Sequence, residues 1–250
     1  MKKRLIMILF LLVACGKTTK FTPLEVVTHQ TYNIEAINKP TPKYSINDLS
    51  VNDLCTYFNE VVLDAEYVHG SGNPSVVQKW TSSINYYLFG DYTKRDVQVI
   101  KQFTNYVNNI EGFPQMKQVE DDTNANMRIY FTDKEGIVKI MGEEYRYNDG
   151  CVTFWYDNNE IYDCNICIDK NLDQYIKNSV ILEELYNGLG PVQDTKLRSD
   201  SIIYEPYTTP QELSDIDDLI LQLLYHPEMK CGMDLTQCRE IIKSLYYEKK

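Results

Sequence analysis

The segment from residue 151 to residue 188 constrains the fold more than any other part of the chain. Two apolar stretches, 151–156 and 161–168, flank the residues Asp157-Asn158-Asn159-Glu160, which are typical of a tight hairpin turn. In the second stretch apolar and polar residues alternate, which is typical of a strand with one buried and one wet face. Residues 171–188 then carry apolar side chains at helical spacing. The segment therefore predicts a hairpin followed directly by a helix.

Further elements on both sides extend this unit into one domain of ordinary size. Helices are predicted to start at Ser50, Thr93 and Asp234, each three residues before Asp or Gln, and at Thr209, which precedes Pro210. Strands are predicted at 84–89, 127–131 and 137–141. From this order we expect an α+β fold, with a mixed, mostly antiparallel sheet packed on helices and a C-terminal helical part.

The N-terminus has the features of a secretory leader. Lys-Lys-Arg at positions 2–4 precedes an apolar run over 5–13 that is too short to span a bilayer as a mature helix. The run ends in Leu-Val-Ala-Cys at 12–15, which resembles the lipobox of bacterial lipoproteins. That resemblance implies cleavage before Cys15 and lipidation of its thiol. An uncleaved N-terminal anchor is the alternative.

These features divide the chain into three parts. We expect a lipoprotein signal peptide over 1–14, a lipidated N-terminus with a flexible tether over 15–44, and a single domain over 45–250. Two or three acyl chains hold a protein on a membrane stably, whereas one chain does so only marginally. The predicted location is therefore the extracytoplasmic face of a cell membrane, reached through the lipid.

The charge of the chain limits its partners. The formal net charge is −11, and loss of the three basic residues of the leader lowers it to −14. Lys and Arg are interspersed with Asp and Glu rather than gathered in basic stripes, which argues against nucleic acid and against electrostatic docking to anionic lipid. A protein or peptide partner stays open.

Six cysteines follow Cys15, and an even number outside the cytoplasm permits up to three disulfides in fifteen pairings. Cys231 and Cys238 would close a short loop and are the candidate pair. Cys164 and Cys167 have C-x-x-C spacing, but strand alternation would place their sulfurs on opposite faces. This argues against a redox motif or a zinc knuckle.

Residues 183–190, Glu-Glu-Leu-Tyr-Asn-Gly-Leu-Gly, have the spacing of a zinc-protease helix without its histidines. The metzincin motif is H-E-x-x-H-x-x-G-x-x-H, in which three His bind zinc and the Glu is the general base. This chain resembles that frame with Glu183, Asn187 and Gln193 at the ligand positions. Glu184 stands at the base position and Gly190 at the turn. The resemblance implies a zincin-like scaffold in which Glu184 is the candidate catalytic residue.

The donor set argues against zinc. Zinc prefers imidazole and thiolate, whereas the three ligand positions offer oxygen donors with one formal charge among them, a set better suited to a hard cation such as calcium. The chain has three histidines in all, His29, His69 and His226, and the last precedes a proline as a turn residue does. We expect no bound metal and no other cofactor.

Several short motifs, taken in order, carry a second resemblance. They are Ile-Leu-Glu-Glu-Leu at 181–185, Leu189-Gly190, Asp194, Ser201-Ile202, Leu-Tyr-His-Pro at 224–227 and Gly232-Met233. Together they resemble the bacterial lipoprotein family labelled domain of unknown function 2927, over roughly residues 80–245. This resemblance implies a location and a scaffold but no mechanism.

Two functions remain open. In the first, the chain is a lipid-anchored, extracytoplasmic lipoprotein whose zincin-like domain is a non-catalytic binding or envelope-associated module. In the second, it is a metal-dependent peptide hydrolase with unconventional ligands and Glu184 as general base. A neighbouring Glu183 would raise the pKa of Glu184 if both were buried, but successive helix positions point about 100° apart. The alternative is therefore that one of the two carboxylates is solvated and the other bonds a neighbouring element.

Overall fold

The computed structural model describes residues 44–63 and 75–246. The signal peptide, Cys15 and almost all of the tether lie outside the described residues, as do His29 and His69. The predictions made for them stay predictions. Within the described ranges, no helix is both long and apolar enough to cross a membrane.

In the described part of the chain, six strands form one sheet. They are β1 (Lys79–Trp80), β2 (Ile84–Gly90), β3 (Met116–Gln118), β4 (Met127–Thr132), β5 (Gly150–Asp157) and β6 (Glu160–Asp169). The spatial order is β3-β2-β4-β6-β5, with β1 pairing with the first two residues of β6. All neighbours are parallel except β5, which pairs with β6 in antiparallel orientation.

The expected α+β fold with a mostly antiparallel sheet is therefore wrong, and the fold is α/β with a mostly parallel sheet. The hairpin at Asn158 and Asn159 is confirmed, since both residues adopt the positive φ of a two-residue turn. It is the sole antiparallel pair among the described strands. The parallel neighbours β2 and β3 are joined through α2, and a connection of that length allows the chain to return in the same direction.

Within residues 44–63 and 75–246, six α-helices accompany the sheet. They are α1 (Val51–Phe58), α2 (Lys94–Val107), α3 (Lys134–Met141), α4 (Gln174–Asn187), α5 (Asp215–Tyr225) and α6 (Leu235–Leu245). Three predicted caps are confirmed: Ser50 accepts a hydrogen bond from the Asp53 amide, and Thr93 and Asp234 each form a complete capping box. The chain continues α1 in a wider helical turn over Asn59–Leu63.

Two local predictions are wrong because a side-chain cap overrides them. The segment 137–141 was expected as a strand, but Asp133 accepts a hydrogen bond from the Gly136 amide at 2.9 Å and starts α3. A helix was expected from Thr209, but α5 starts at Ser214, which forms a capping box with Asp217. Asp217 is fully buried, so its hydrogen bonds determine where this helix begins.

The sheet separates two apolar clusters. The main core lies between one face of the sheet and helices α1, α2, α4, α5 and α6, and includes Cys164. A smaller cluster of Ile137, Tyr145, Cys151 and Cys167 lies under α3 on the opposite face. Cys164 and Cys167 therefore do face opposite sides, as predicted. The second face is not uniformly wet, because Cys167 and Asp169 are buried there.

A register shift interrupts the alternation of buried and exposed residues along β6. The pairing of β5 with β6 changes between Trp155 and Tyr156, which indicates a bulge. As a consequence Ile161, and not Tyr162, is buried like Cys164 in β6.

The two ends of the described chain meet. The Tyr246 hydroxyl donates to the Leu49 carbonyl at 2.7 Å and accepts from the Ile46 amide at 3.2 Å. Helix α6 packs on α1 beside this contact. The domain is thus closed by its last described residue.

Candidate functional site

Helix α4 lies at the centre of the molecule and carries the candidate site. The Asp173 side chain caps it by accepting a hydrogen bond from the Tyr175 amide at 2.9 Å. Apolar residues such as Ile181 and Leu185 bury α4 against β5, β6 and α2. The helix is therefore covered on most sides, and its polar residues lie inside the protein.

Hydrogen bonds from two large side chains hold the C-terminal end of α4. The Trp80 indole donates to the Gly188 carbonyl at 2.8 Å, and the Tyr225 hydroxyl donates to the Leu189 carbonyl at 2.7 Å. Gly190 then has φ +129°, and a Cβ there would stand 2.8 Å from the Gln78 carbonyl oxygen. Gly190 is thus the residue at which the chain turns away from the helix, as expected from the frame.

Two side chains of α4 contain buried polar atoms without hydrogen-bond partners. Glu184 is 1% exposed, and its Oε2 has no partner. Asn187 is 0% exposed, and both its Oδ1 and its Nδ2 lack one. Buried polar groups are nearly always hydrogen-bonded in proteins, so two such residues less than one helical turn apart mark an unusual place.

Acidic groups surround Glu184. Burial raises the pKa of Glu184 well above its usual range, and the charges of Glu183, Cys151 and Asp194 add to this effect. Burial likewise raises the pKa of the half-buried Glu183, with contributions from Asp194 and Asp149. Burial and the neighbouring acids therefore both favour the protonated form of the Glu184 carboxyl.

Strand β5 closes the site from the side of the sheet. A Cβ on Gly150 would stand 2.7 Å from both Cγ and Oε1 of Glu184, and would also collide with Cγ1 of Val180. The backbone of Gly150 therefore lies directly against the Glu184 side chain. This contact leaves no room for a substrate between β5 and the carboxyl.

The residues at the metal-ligand positions do not fit zinc. Glu183 and Gln193 are half-buried, while Asn187 is enclosed in the helix packing. Over residues 44–63 and 75–246, no group of three or more His, Cys, Asp or Glu is arranged to hold a metal ion. The donors at these positions are carboxylate and amide oxygens, which zinc disfavours relative to imidazole and thiolate.

The other candidate residues lie away from α4. His226 caps the C-terminus of α5, its ring contacts Tyr44 edge to face at 6.1 Å, and its Nδ1 accepts from the Glu228 amide. Cys231 lies near the Lys79 carbonyl, with the sulfur 3.9 Å from the oxygen, and Cys238 is buried in the main core. Both sulfurs are free thiols here, and their pairing stays a prediction.

Two family-motif residues have a structural role. The Ser201 hydroxyl donates to Asp217 Oδ1 at 2.6 Å, and the Ile202 amide donates to Asp217 Oδ2 at 3.0 Å. Asp217 also accepts from the Ser214 amide at 2.8 Å. One buried carboxylate therefore fixes both the loop after α4 and the start of α5.

Sequence reasoning located Glu183, Glu184 and Asn187 but missed their surroundings. The contact between Gly150 and Glu184 joins positions 34 residues apart, and no local pattern indicates it. The burial of Asn187 was also missed, although its place between Leu185, Tyr186 and Leu189 indicates an apolar surrounding.

Comparison with known families supports the second resemblance. The family described as "Protein of unknown function (DUF2927)" matches residues 52–244, which is more than half of the chain. A comparison with curated proteins gave no match. The family match extends from α1 to α6. It includes the whole described sheet as well as helix α4 and the acidic residues around it. The chain therefore belongs to the DUF2927 family of proteins of unknown function.

Proposed function

We propose that this protein is a lipid-anchored lipoprotein of the extracytoplasmic face of a cell membrane, and that its domain is a non-catalytic binding or envelope-associated module. The single observation that supports a non-catalytic module is the enclosure of Glu184. This residue is 1% exposed, and its carboxyl lies against Gly150. A general base must reach a substrate or its water within hydrogen-bond distance. The carboxyl of Glu184 is covered by strand β5 and therefore does not reach a substrate in this way.

The anchoring half of the proposal rests on the sequence of the N-terminus. Basic residues at 2–4, a short apolar run and the Leu-Val-Ala-Cys box occur in the order of a lipoprotein leader. The acidic charge of the chain would repel anionic lipid, so the acyl chains on Cys15 supply the attachment. The partner is a protein or peptide of the envelope.

The frame on α4 supports a degenerate zincin-like origin for this helix. Glu183, Glu184 and Asn187 follow its spacing, and the positive φ of Gly190 places the turn where the frame has it. The ligand positions hold oxygen donors that do not suit zinc. We therefore assign the helix a structural role in the module.

The anchor is tested by partitioning the full chain, expressed with its own leader, between detergent and aqueous phases. Wild type is expected in the detergent phase, and Cys15→Ser in the aqueous phase or unprocessed. Cys231→Ser is the matched control, because it removes a half-buried thiol of the domain and leaves the box intact. A Cys15→Ser chain that partitions and is processed like wild type would overturn the anchor.

A second candidate function, peptide hydrolysis with Glu184 as general base, is favoured by one observation. The raised pKa of Glu184 is the kind of shift that prepares a carboxyl for acid–base chemistry near neutral pH. The two candidates are separated by zinc analysis of the purified full chain together with turnover of a mixed peptide library. We expect neither stoichiometric zinc nor turnover. Stoichiometric zinc that disappears in Glu183→Ala, together with peptide turnover that disappears in Glu184→Ala, would overturn the non-catalytic module in favour of the hydrolase.

A further inference from the structure

Cys151 and Cys167 stand directly opposite each other on β5 and β6. Two residues away, the Asp169 amide donates to the Asp149 carbonyl at 2.8 Å, so Asp149 and Asp169 lie at a hydrogen-bonded position of the ladder. Bonded and non-bonded pairs alternate along an antiparallel ladder, which makes the cysteines a bonded pair with Cα atoms about 5.5 Å apart. Disulfides join Cα atoms roughly 4.4–6.8 Å apart.

The two side chains share one small, dry space. Both cysteines are 0% exposed, and they form a cluster with Ile137 and Tyr145 beneath α3. The hydrogen bond between the two sulfur groups, followed by burial, raises the pKa of the Cys151 thiol. The two thiols therefore lie side by side, opposite each other in the ladder and within one buried cluster.

The remaining cysteine of the hairpin does not compete for either sulfur. Cys164 belongs to the main core on the opposite face of the sheet, beside Ile166 and Gly188. The C-x-x-C spacing of Cys164 and Cys167 therefore does not define a pair, whereas strand register does.

We propose that Cys151 and Cys167 form a disulfide whenever the chain folds under oxidising conditions. The presence of this bond in cells rests on the proposed extracytoplasmic location. Two thiols lose two protons and two electrons, and one S–S bond forms. The oxidant is a disulfide, either of a protein thiol oxidase or of a small thiol, and it is released as two thiols.

The burial of both sulfurs sets the order of events. An attacking thiolate needs access to the disulfide of its oxidant. Exchange therefore takes place while β5 and β6 are paired but before α3 covers the cluster. Once formed, the bond holds β5 to β6 at the residue next to Gly150, which covers Glu184.

Peptide mapping of the wild-type full chain tests the pairing without any substitution. The chain is unfolded with reductant, refolded in a buffer of reduced and oxidised glutathione, denatured, blocked with N-ethylmaleimide and cleaved after glutamate. Cleavage after Glu144, Glu160 and Glu183 separates peptide 145–160, which holds Cys151, from peptide 161–183, which holds Cys164 and Cys167. We expect the two peptides to be linked through Cys167, with maleimide on Cys164. Fragmentation of the linked peptide identifies the sulfur.

Thermal unfolding provides a second readout. The oxidised chain is expected to unfold roughly 5–10 °C above the reduced chain, because the bond closes a short loop in the unfolded state. In Cys151→Ala the difference in unfolding temperature between the oxidised and the reduced chain should decrease by roughly these 5–10 °C. In Cys231→Ala the difference should be retained. Free Cys151 and Cys167 after oxidative refolding, or Cys151 joined to any other cysteine, would overturn the pairing.

The same mapping on protein isolated from membranes separates this inference from the proposed location. A bond found in both preparations supports both statements. A bond that forms on refolding but is missing from the cellular protein supports the pairing and counts against the extracytoplasmic location.

Discussion

The backbone of Gly150 lies directly against the carboxyl group of Glu184. A Cβ at position 150 would stand 2.7 Å from Glu184 Oε1, closer than real Cβ contacts come. The edge strand of the sheet and the central helix therefore approach each other at a point where only a hydrogen atom fits. This contact determines how the acidic site is closed.

Gly150→Ala is expected to destabilise the domain. The new methyl group would overlap both Glu184 and Val180, and overpacking of a filled core costs about 1–3 kcal/mol. Urea unfolding measures the loss. Gly188→Ala is the control, since its Cβ would meet its nearest neighbours at 3.2–3.4 Å and should cost under about 1 kcal/mol. Equal losses for the two variants would show that β5 does not press on Glu184.

Glu184→Gln is expected to change how stability depends on pH. The pKa of Glu184 is raised in the folded state, so its contribution is fully present below the unfolded value of about 4.3 and is lost as pH rises through the folded pKa. Stability of the wild type should therefore fall from pH 5 to pH 8, and the variant should fall less. The pKa of Glu183 is also raised in the folded state, so the stability of the variant should still decrease somewhat as pH rises.

Unfolding midpoints in urea at pH 5 and pH 8 measure this slope. Glu212→Gln, on an exposed residue, serves as control and should follow the wild type at both values. A Glu184→Gln chain with the full wild-type slope would show that Glu184 ionises as an ordinary glutamate.

Asn187→Leu is expected to stabilise the domain by about 1–3 kcal/mol. Both amide atoms of Asn187 are buried without partners, and an apolar group of similar shape removes that cost. Asn178→Leu is the matched control on the same helix, because the Asn178 amide bonds Gln174 and Gln211 and its loss should destabilise. Chemical denaturation of both variants checks the signs. A destabilising Asn187→Leu would mean that the amide bonds a group bound to the protein.

Asp217→Ala is expected to cost about 3 kcal/mol, because it leaves the buried Ser201 hydroxyl and the Ile202 amide without their acceptor. Asp215→Ala removes an exposed acid from the same first turn of α5 and should change stability by less than about 1 kcal/mol. Thermal unfolding compares the two. Similar losses would indicate that Asp217 acts through the helix dipole alone.

Local patterns predicted most elements but not the way in which they assemble. Thr93 with Asp96 and Asp234 with Gln237 are caps that depend on residues three apart, so the sequence predicts them directly. The parallel pairing of β2 with β4, of β4 with β6 and of β2 with β3 joins distant segments, and alternation within a strand carries no information about its neighbour's direction.

The sequence was enough to predict which helix residues form the candidate site. It was not enough to predict which other parts of the fold surround them. Helical spacing was enough to group Glu183, Glu184 and Asn187, because they share one helix. The pKa of Glu184 is raised mainly by burial, to which the covering strand contributes, and further by Asp194, and both the strand and Asp194 come from elsewhere in the fold. The start of α5 illustrates the same limit, since a tertiary hydrogen-bond set around Asp217 overrides a good local cap at Thr209.

The hydrogen bonds of Tyr246 have a consequence for the order of folding. Its hydroxyl bonds the backbone of Ile46 and Leu49, residues 200 and 197 positions earlier in the chain. These contacts become available only after residue 246 has been made, and contacts between distant positions form slowly. The segment around Ile46 and Leu49 can therefore reach its final place only when the C-terminal helix is present.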